Sequence, residues 1–318
     1  MSQPEVLQIG GATDEMRARL DAEFKVHVMS EIDDFDAWAA EHGAGVEAVM
    51  TNGHDGVPAK VMEALPNLKV VSGYGVGYDA VDTDACVARG IKVSHTPDVL
   101  NGEVANTALL LLLAGLRNFR HDEAWARSGD WETSGNAPLS TSPDGKTIGI
   151  LGLGRIGQEI ADRMAIFNPT IVYHTRSKKD VPYTYYGDLV EMAAACDVLI
   201  CITPGGPSTN KIVNKQVLEA LGPSGMLINV SRGSVVDEAA LIEALDSGKL
   251  GLAGLDVFEK EPHIPDALKT SDRTVLLPHV GSGTHETRAA MGKLTVDNLL
   301  QWKADGTVKT PVPECAHL

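Results

Sequence analysis

The chain has 318 residues, 43 % of them hydrophobic, and its 43 acidic and 27 basic residues give a formal net charge of −16. This length exceeds what one hydrophobic core normally serves, so we expect two domains. The negative charge argues against nucleic acid or an anionic membrane surface as a partner, because both would be repelled. Any anionic ligand must therefore be bound by local groups.

Cysteine usage and the N-terminal residues predict a cytoplasmic protein. The four cysteines have spacings that fit neither a C-x-x-C motif nor a zinc-ligand set, so we expect reduced thiols and no metal. Residues 1–5 show no basic segment leading into an apolar stretch, so no secretory signal is expected. The longest uncharged run, 104–116, is shorter than the about 20 residues that span a bilayer, and we interpret it as a buried helix.

Short apolar runs alternate with amphipathic segments over the first hundred residues, which is typical of a parallel α/β sheet. Helices are expected at Met16 to Phe24, from Pro58 and from near Asp82. The alternation stops at Thr96-Pro97-Asp98, and a long helix is expected from about Asn101. The expected strands are 6–9, 26–29, 46–50, 69–72 and 91–94.

A second βα series predicts six more strands, which is a complete dinucleotide-binding sheet. They are 147–151, 170–174, 197–201, 226–230, 251–255 and 274–277. Segment 128–145 is polar and is expected to form an exposed loop or arm, whereas 284–303 is expected to be a helix that packs back on the first domain. We therefore predict an α/β protein with two doubly wound parallel sheets. The predicted domains are a flavodoxin-like substrate domain of residues 1–98 and 285–318, and an inserted dinucleotide-binding (Rossmann) domain of residues 99–284.

A glycine-rich turn follows strand 147–151 directly, with the sequence Gly152-Leu153-Gly154-Arg155-Ile156-Gly157 and then helix-forming residues. Strand, G-x-G-x-x-G and helix are the context of a dinucleotide site. Gly152 permits the tight turn, Gly154 leaves room for a pyrophosphate, and Gly157 lets helix and strand pack closely. The residues predicted to bind the cofactor here are Gly152, Gly154, Arg155, Ile156 and Gly157.

The end of the next strand predicts which nicotinamide cofactor is used. An acidic residue that binds the ribose is expected there in an NAD site, but the sequence reads Tyr173-His174-Thr175-Arg176-Ser177-Lys178-Lys179. A carboxylate would repel a 2′-phosphate, whereas Arg176 can pair with it and Ser177 and Lys178 can add donors. We predict NADPH in preference to NADH. The alternative is that these residues are ordinary solvated cations, which their position makes the weaker interpretation.

Three later strand ends supply residues for reduction of a 2-oxo acid. This reaction requires a cation for the carboxylate and carbonyl oxygen, and a proton donor near neutral pH. Arg232 and His279 fit these roles, and Glu261 is the candidate carboxylate that keeps the imidazole protonated and oriented. The sequence therefore predicts a reductase of a small 2-oxo acid.

These motifs, in this order, resemble the successive signatures of the D-isomer-specific 2-hydroxyacid dehydrogenases over nearly the whole chain. The resemblance implies that Arg232 binds the substrate, that His279 donates the proton with Glu261 as its partner, and that Asp256 holds the nicotinamide carboxamide. In the first domain it implies that backbone N–H groups of the 72–79 loop receive the substrate carboxylate, namely those of Gly75, Val76 and Gly77. The other residues assigned to cofactor binding are Thr107, Pro204, Thr209, Val230, Ser231 and Gly281.

Within that family, the segments 173–177 and 129–131 are similar to NADPH-dependent glyoxylate/hydroxypyruvate and hydroxyphenylpyruvate reductases. Glyoxylate or hydroxypyruvate is the favoured substrate, and an aryl pyruvate stays open. The resemblance also implies a homodimer through the helix at Asn101 and the 128–145 arm. Trp131 is either an anchor of that arm across the dimer or a partly buried loop residue.

Three other functions are weighed against this one. A nucleotide-sensing binding protein of the same fold would not need the set of Arg232, Glu261 and His279. A formate dehydrogenase would carry glutamine beside its histidine, where this chain has Glu261. An NAD-linked phosphoglycerate or lactate oxidoreductase would carry the carboxylate that is missing near Thr175.

Overall fold

The computed structural model describes residues 3–318. Met1 and Ser2 lie outside the described residues. They are part of the N-terminal segment 1–5 from which a cytoplasmic location was predicted. The chain divides into two compact units, one formed by the residues up to Leu100 together with Thr284–Leu318, the other by Asn101–Gly283. No helix within the described residues is long and apolar enough to cross a membrane.

The first unit contains a parallel sheet of five strands in the order β2-β1-β3-β4-β5, which is the flavodoxin-type order. The strands are β1 (Glu5–Gln8), β2 (Lys25–Val28), β3 (Val46–Asn52), β4 (Val70–Tyr74) and β5 (Lys92–Ser94). The helices are α1 (Asp14–Glu23), α2 (Phe35–His42), α3 (Ala59–Ala64) and α4 (Thr83–Ala88). Thr13, Asp34 and Asp82 begin α1, α2 and α4 by accepting backbone N–H groups with their side chains. The five predicted strands are confirmed.

The second unit contains a parallel sheet in the order β12-β11-β10-β9-β6-β7-β8. Its strands are β6 (Thr147–Leu151), β7 (Thr170–His174), β8 (Thr184–Tyr185), β9 (Val198–Cys201), β10 (Met226–Asn229), β11 (Leu252–Leu255) and β12 (Thr274–Leu276). Its helices are α5 (Asn101–Leu116), α6 (Phe119–Ser128), α7 (Asp130–Ser134), α8 (Arg155–Met164), α9 (Leu189–Ala194), α10 (Lys215–Leu221), α11 (Glu238–Asp246) and α12 (Asp266–Thr270). The predicted number of six strands was one too few, because β8 has only two residues and leaves no periodic signal.

The last helix, α13 (His285–Asp305), belongs to the first unit, as the helical spacing of 284–303 predicted. Thr284 begins it by accepting the N–H of Thr287. Its apolar side chains join the buried cluster that β1, α1 and β3 form. The members contributed by α13 are Val296, Leu299 and Trp302.

The 128–145 segment is mostly exposed, as predicted, but it is not all loop, because α7 occupies its first part. Trp131 lies within α7 and is 66 % exposed, with its indole N–H donating to Asn136 Oδ1 at 3.2 Å. The interpretation of Trp131 as a partly buried loop residue was therefore wrong for this chain.

All four cysteines are buried as free thiols. Burial raises the pKa of Cys196 and of Cys201 to about 12, so neither ionises near neutral pH. Both lie in the apolar cluster of the second unit, where they act as small core residues.

Candidate active site

Strand register brings the predicted site segments that follow strands of the second unit to one edge of its sheet. The residues that end these strands are aligned with one another and form one row across the sheet. The loop that carries each predicted segment begins directly after the strand residue in this row. The row is His174, Leu151, Cys201, Asn229, Leu255 and Leu276. Ligands of open parallel sheets bind at this edge.

The glycine turn after β6 has the geometry that a dinucleotide requires. Gly152 has a φ of +102°, and a Cβ there would lie 2.8 Å from the amide nitrogen of Thr203. A Cβ at Gly157 would overlap the carbonyl oxygen of Gly152. At Gly154, by contrast, a Cβ would have nothing within 4 Å, and no side chain caps the start of α8. The N–H groups of this helix N-terminus are thus accessible to an anion, and the residues present fit a pyrophosphate.

The loop Thr175–Lys179 after β7, called the 175–179 loop below, carries exposed Arg176, Ser177 and Lys178. Across residues 3–318, neither Arg176 nor Lys178 makes a hydrogen bond or an ion pair with the rest of the chain. The hydroxyl of Thr175 donates to the carbonyl of Ser177 at 2.7 Å, which closes the loop on itself. Arg176 and Lys178 fit the charge of a 2′-phosphate.

Buried Asn229, at the end of β10, shapes the turn that carries Arg232. It is 1 % exposed, and its Oδ1 accepts both the N–H and the hydroxyl of Ser231, at 3.1 and 2.7 Å. Its Nδ2 donates to the carbonyl of Arg232 at 3.0 Å. Asn229 was not among the predicted site residues, and its signal was a polar residue at the end of an otherwise apolar, buried strand.

Gly233 brings this turn against the next one along the sheet. A Cβ there would overlap the backbone carbonyl of Phe258, so no larger residue fits without moving one of the two loops. The N–H of Phe258 in turn donates to Glu261 Oε1 at 3.0 Å. The Arg232 turn and the Glu261 loop are therefore in direct backbone contact.

Asp256 follows β11 and organises the loop that carries His279. It is 2 % exposed, its Oδ1 accepts the N–H of Val280 and its Oδ2 accepts the N–H of Gly281, both at 2.7 Å. Burial raises the pKa of Asp256 despite these two opposing hydrogen bonds. Its backbone also joins the neighbouring loops, accepting the N–H of His279 at 2.8 Å and donating to the carbonyl of Asn229 at 3.0 Å.

His279 and Glu261 are hydrogen-bonded, with 2.6 Å between Nδ1 of the imidazole and Oε2 of the carboxylate. Because an ionised carboxylate only accepts, Nδ1 is the donor, and Nε2 is the nitrogen left to exchange a proton. The His279 side chain is 45 % exposed and the Glu261 side chain 20 %. His279 has a φ of +54°, a conformation that the hydrogen bonds to Asp256 stabilise. The structure thus brings the predicted donor and its carboxylate together.

Other predicted residues make contacts within their own segments. Buried Thr107, in α5, donates its hydroxyl to the carbonyl of Glu103 at 3.1 Å. Thr209 donates to the carbonyl of Pro204 at 2.7 Å and so closes the loop that follows β9. Val230 and Ser231 are buried beside Asn229.

Residues 72–74 of the predicted substrate loop belong to β4, and the part of that segment which follows the strand is held by the residues after β5. The carbonyl of Gly75 accepts the N–H of Thr96 at 2.8 Å, and the carbonyl of Val76 lies 2.9 Å from Nδ1 of His95. Gly75 has a φ of +152°.

Among the described residues, no group of three His, Cys, Asp or Glu side chains could hold a metal ion.

Comparison with protein families gives the class of protein that this fold and site define. The family model described as D-isomer specific 2-hydroxyacid dehydrogenase, NAD binding domain, matches residues 109–281, which is more than half of the chain. The chain belongs to this family. It is therefore an oxidoreductase, a 2-hydroxyacid dehydrogenase with a domain for a nicotinamide dinucleotide, and the resemblance predicted from the sequence is confirmed.

Three individual proteins that the chain resembles, two sequence relatives and one solved structure, are reductases by name. The chain is 46 % identical to a hydroxyphenylpyruvate reductase of Plectranthus scutellarioides over 280 residues, covering 88 % of each chain. It is 46 % identical to a glyoxylate/hydroxypyruvate reductase A of Arabidopsis thaliana over 272 residues, covering 85 % of this chain and 87 % of that one. A crystal structure of the NADPH-dependent glyoxylate/hydroxypyruvate reductase of Sinorhizobium meliloti, in complex with NADP and malonate, is similar with a TM-score of 0.92 and 45 % identity. That similarity covers 99 % of this chain and 98 % of the other.

Proposed function

We propose that this chain is an NADPH-dependent reductase of a small 2-oxo acid, with glyoxylate or hydroxypyruvate as the favoured substrate. The observation that carries the proposal is the hydrogen-bonded pair of His279 and Glu261 beside the Arg232 turn. A cation for the substrate and a proton donor with a fixed orientation are what reduction of a 2-oxo acid needs from the protein.

In the proposed mechanism, the guanidinium of Arg232 binds the substrate carboxylate and polarises the neighbouring carbonyl. Protonated His279 then donates the Nε2 proton to the carbonyl oxygen as negative charge develops there. Glu261 stabilises the imidazolium beforehand through Nδ1 and keeps the ring oriented. The bound dinucleotide supplies the hydride. Because His279 is 45 % exposed, it can be reprotonated from solvent after each turnover.

The proposed cofactor site combines two features of the second unit. The turn Gly152 to Gly157 and the N-terminus of α8 would bind the pyrophosphate, and Arg176, Ser177 and Lys178 would bind the 2′-phosphate. The further cofactor contacts in the proposal are Thr107, Arg155, Ile156, Pro204, Thr209, Val230, Ser231, Asp256 and Gly281.

Substrate choice is the finer part of the proposal. Backbone N–H groups of Gly75, Val76 and Gly77 are proposed to receive the carboxylate, which is common to all candidate substrates. The second candidate is an aryl pyruvate such as hydroxyphenylpyruvate, because the chain is as similar to the Plectranthus reductase as to the Arabidopsis one, at 46 % identity in both cases.

The cofactor assignment is tested by Arg176→Asp, which replaces a pairing cation with a repelling anion. We expect KM for NADPH to rise by about tenfold to a hundredfold, the scale of one or two charge-assisted hydrogen bonds, with little change for NADH. Lys249→Asp is the matched control, because it makes the same charge change at a surface residue that pairs with Glu219. An equal loss for NADPH and NADH would contradict the assignment.

A homodimer and a cytoplasmic location complete the proposal. Support for a dimer comes from large apolar side chains that are exposed on α5, α6, α7 and the segment after it. They are Leu110, Phe119, Trp131 and Leu139. We propose that these side chains form one contiguous apolar patch, the kind of surface that marks a protein interface, so light scattering of the purified protein should give twice the chain mass. A monomer at micromolar concentration would contradict the dimer.

A further inference from the structure

The 175–179 loop is fixed at both ends by buried or half-buried tyrosine hydroxyls. Tyr173, in β7, is fully buried, and its hydroxyl accepts the N–H of Lys179 at 2.8 Å and donates to the carbonyl of the same residue at 3.1 Å. Tyr185 donates its hydroxyl to the carbonyl of Thr175 at 3.2 Å. The first and last residues of the loop are therefore both tied to the sheet.

Strand β8 explains how the two tyrosines come to lie side by side. It pairs with β7 so that Tyr185 stands opposite Tyr173, with 5.4 Å between their ring centroids. The N–H of Tyr186 donates to the carbonyl of Tyr173 at 2.9 Å, and the carbonyl of Tyr186 accepts from His174 Nδ1 at 2.9 Å. This two-residue strand therefore positions the hydroxyl of Tyr185 within hydrogen-bonding distance of the loop backbone at Thr175.

The side chains that the loop presents are left available for a ligand. Arg176 and Lys178 are exposed and make no hydrogen bond or ion pair with any residue in the range 3–318, while the backbone on either side of them is held. A backbone that is ordered before binding loses less conformational entropy when a ligand binds. The cost of arranging two cations around one phosphate is thus lowered in advance.

We propose that Tyr173 and Tyr185 are positioning residues for cofactor choice, and that their hydroxyls hold the 175–179 loop in the conformation that binds the 2′-phosphate of NADPH. The inference rests on the proposed NADPH preference. The inference adds that discrimination between NADPH and NADH depends on residues that contact neither the phosphate nor the reacting atoms. Removing either hydroxyl should therefore weaken binding of the phosphorylated cofactor while catalysis with NADH changes little.

The test uses Tyr173→Phe and Tyr185→Phe, which keep the rings and remove only the hydroxyls. Tyr185→Phe loses one hydrogen bond, which corresponds to about a threefold to tenfold change in binding, so its KM for NADPH should rise by that factor with little change in kcat. Tyr173→Phe loses two hydrogen bonds, so its KM for NADPH should rise at least as much. The dissociation constant of 2′,5′-ADP should rise equally, and that of 5′-ADP should not. Tyr186→Phe is the matched control, since its hydroxyl forms no hydrogen bond with the described part of the chain.

The outcomes separate this inference from the function on which it rests. If the unmodified enzyme prefers NADPH and Arg176→Asp removes the preference, but both tyrosine variants keep it, the inference is overturned and the cofactor assignment stands. An equal loss for NADPH and NADH would show that the tyrosines are merely structural and would also overturn it. If the unmodified enzyme shows no preference, the cofactor assignment fails and the inference fails with it. Should Tyr173→Phe not fold, Tyr185→Phe alone decides.

Discussion

Replacing Glu261 by glutamine should slow reduction through its effect on His279. In the native site Nδ1 donates to Glu261 Oε2 at 2.6 Å, and Oε1 accepts the N–H of Phe258 at 3.0 Å. A glutamine can keep the bond to Phe258 with its carbonyl oxygen, but its NH2 group would then face Nδ1. Because two donors cannot bond to each other, this arrangement disfavours the imidazolium, which is the form that donates the proton.

The size of the effect follows from the kind of hydrogen bond that is lost. A hydrogen bond to a charged group contributes about 1.5 to 3 kcal/mol, against about 1 kcal/mol for a neutral one. Since the His279 side chain is 45 % exposed, solvent screening places the lost free energy near the lower end of this charged-group range. A loss of about 1.4 kcal/mol corresponds to about a tenfold fall in kcat.

The assay for this variant is steady-state oxidation of NADPH at 340 nm, with cofactor binding measured separately by fluorescence titration. We expect kcat to fall and the cofactor dissociation constant to stay unchanged. Glu259→Gln is the matched control, because Glu259 is a nearby carboxylate that pairs with Lys211 instead. If Glu261→Gln keeps kcat within about twofold of the unmodified enzyme, the assigned role of the carboxylate is wrong.

Three further predictions concern the donor, the glycine turn and the first unit. His279→Ala should lower turnover by about a hundredfold or more, the scale of a general acid, and leave cofactor binding intact; normal turnover would remove His279 from the mechanism. Gly157→Ala should destabilise the protein by about 1 to 3 kcal/mol in urea denaturation and weaken both cofactors equally, because its Cβ would overlap the carbonyl of Gly152; unchanged stability would contradict this. Burial alone would raise the pKa of Asp297, but hydrogen bonds from three cations hold it well below its ordinary value, so its stabilisation is present at neutral pH and is lost in acid as the carboxylate protonates. Asp297→Asn should therefore lower the free energy of unfolding by about 2 kcal/mol at pH 7, and by progressively less as the pH falls below the ordinary pKa of an aspartate carboxyl group. A loss of unfolding free energy that is independent of pH would refute this. The three cations are Arg19, Lys293 and Lys309.

Much of the sheet architecture was predictable because its signals are local. Buried parallel strands are short apolar runs, and the turn from Gly152 to Gly157 combines an unusual residue composition with a fixed spacing. Arg232, Glu261 and His279 could be proposed as site residues because each closely follows such a run. Parallel register then places them at the same edge of the sheet.

The contacts that hold these residues in place were not predictable, since they join segments far apart in the sequence. The carboxylate of Asp256 binds two N–H groups more than 20 residues away, and nothing in its own segment indicates this. Strand β8 is too short to show alternation, so the pairing of Tyr173 with Tyr185 also depends on tertiary packing. Asn229 gave a weak signal, because a buried amide is recognised only by its partners.

The central claim, that the chain reduces a small 2-oxo acid with NADPH, is tested most directly by one spectrophotometric experiment. The purified protein is given glyoxylate, hydroxypyruvate, pyruvate or phenylpyruvate, each with NADPH and with NADH, and oxidation is followed at 340 nm. We predict the fastest oxidation with NADPH and with glyoxylate or hydroxypyruvate. Absence of oxidation with all four acids, in a protein that demonstrably binds NADPH, would contradict the account and favour a nucleotide-sensing role.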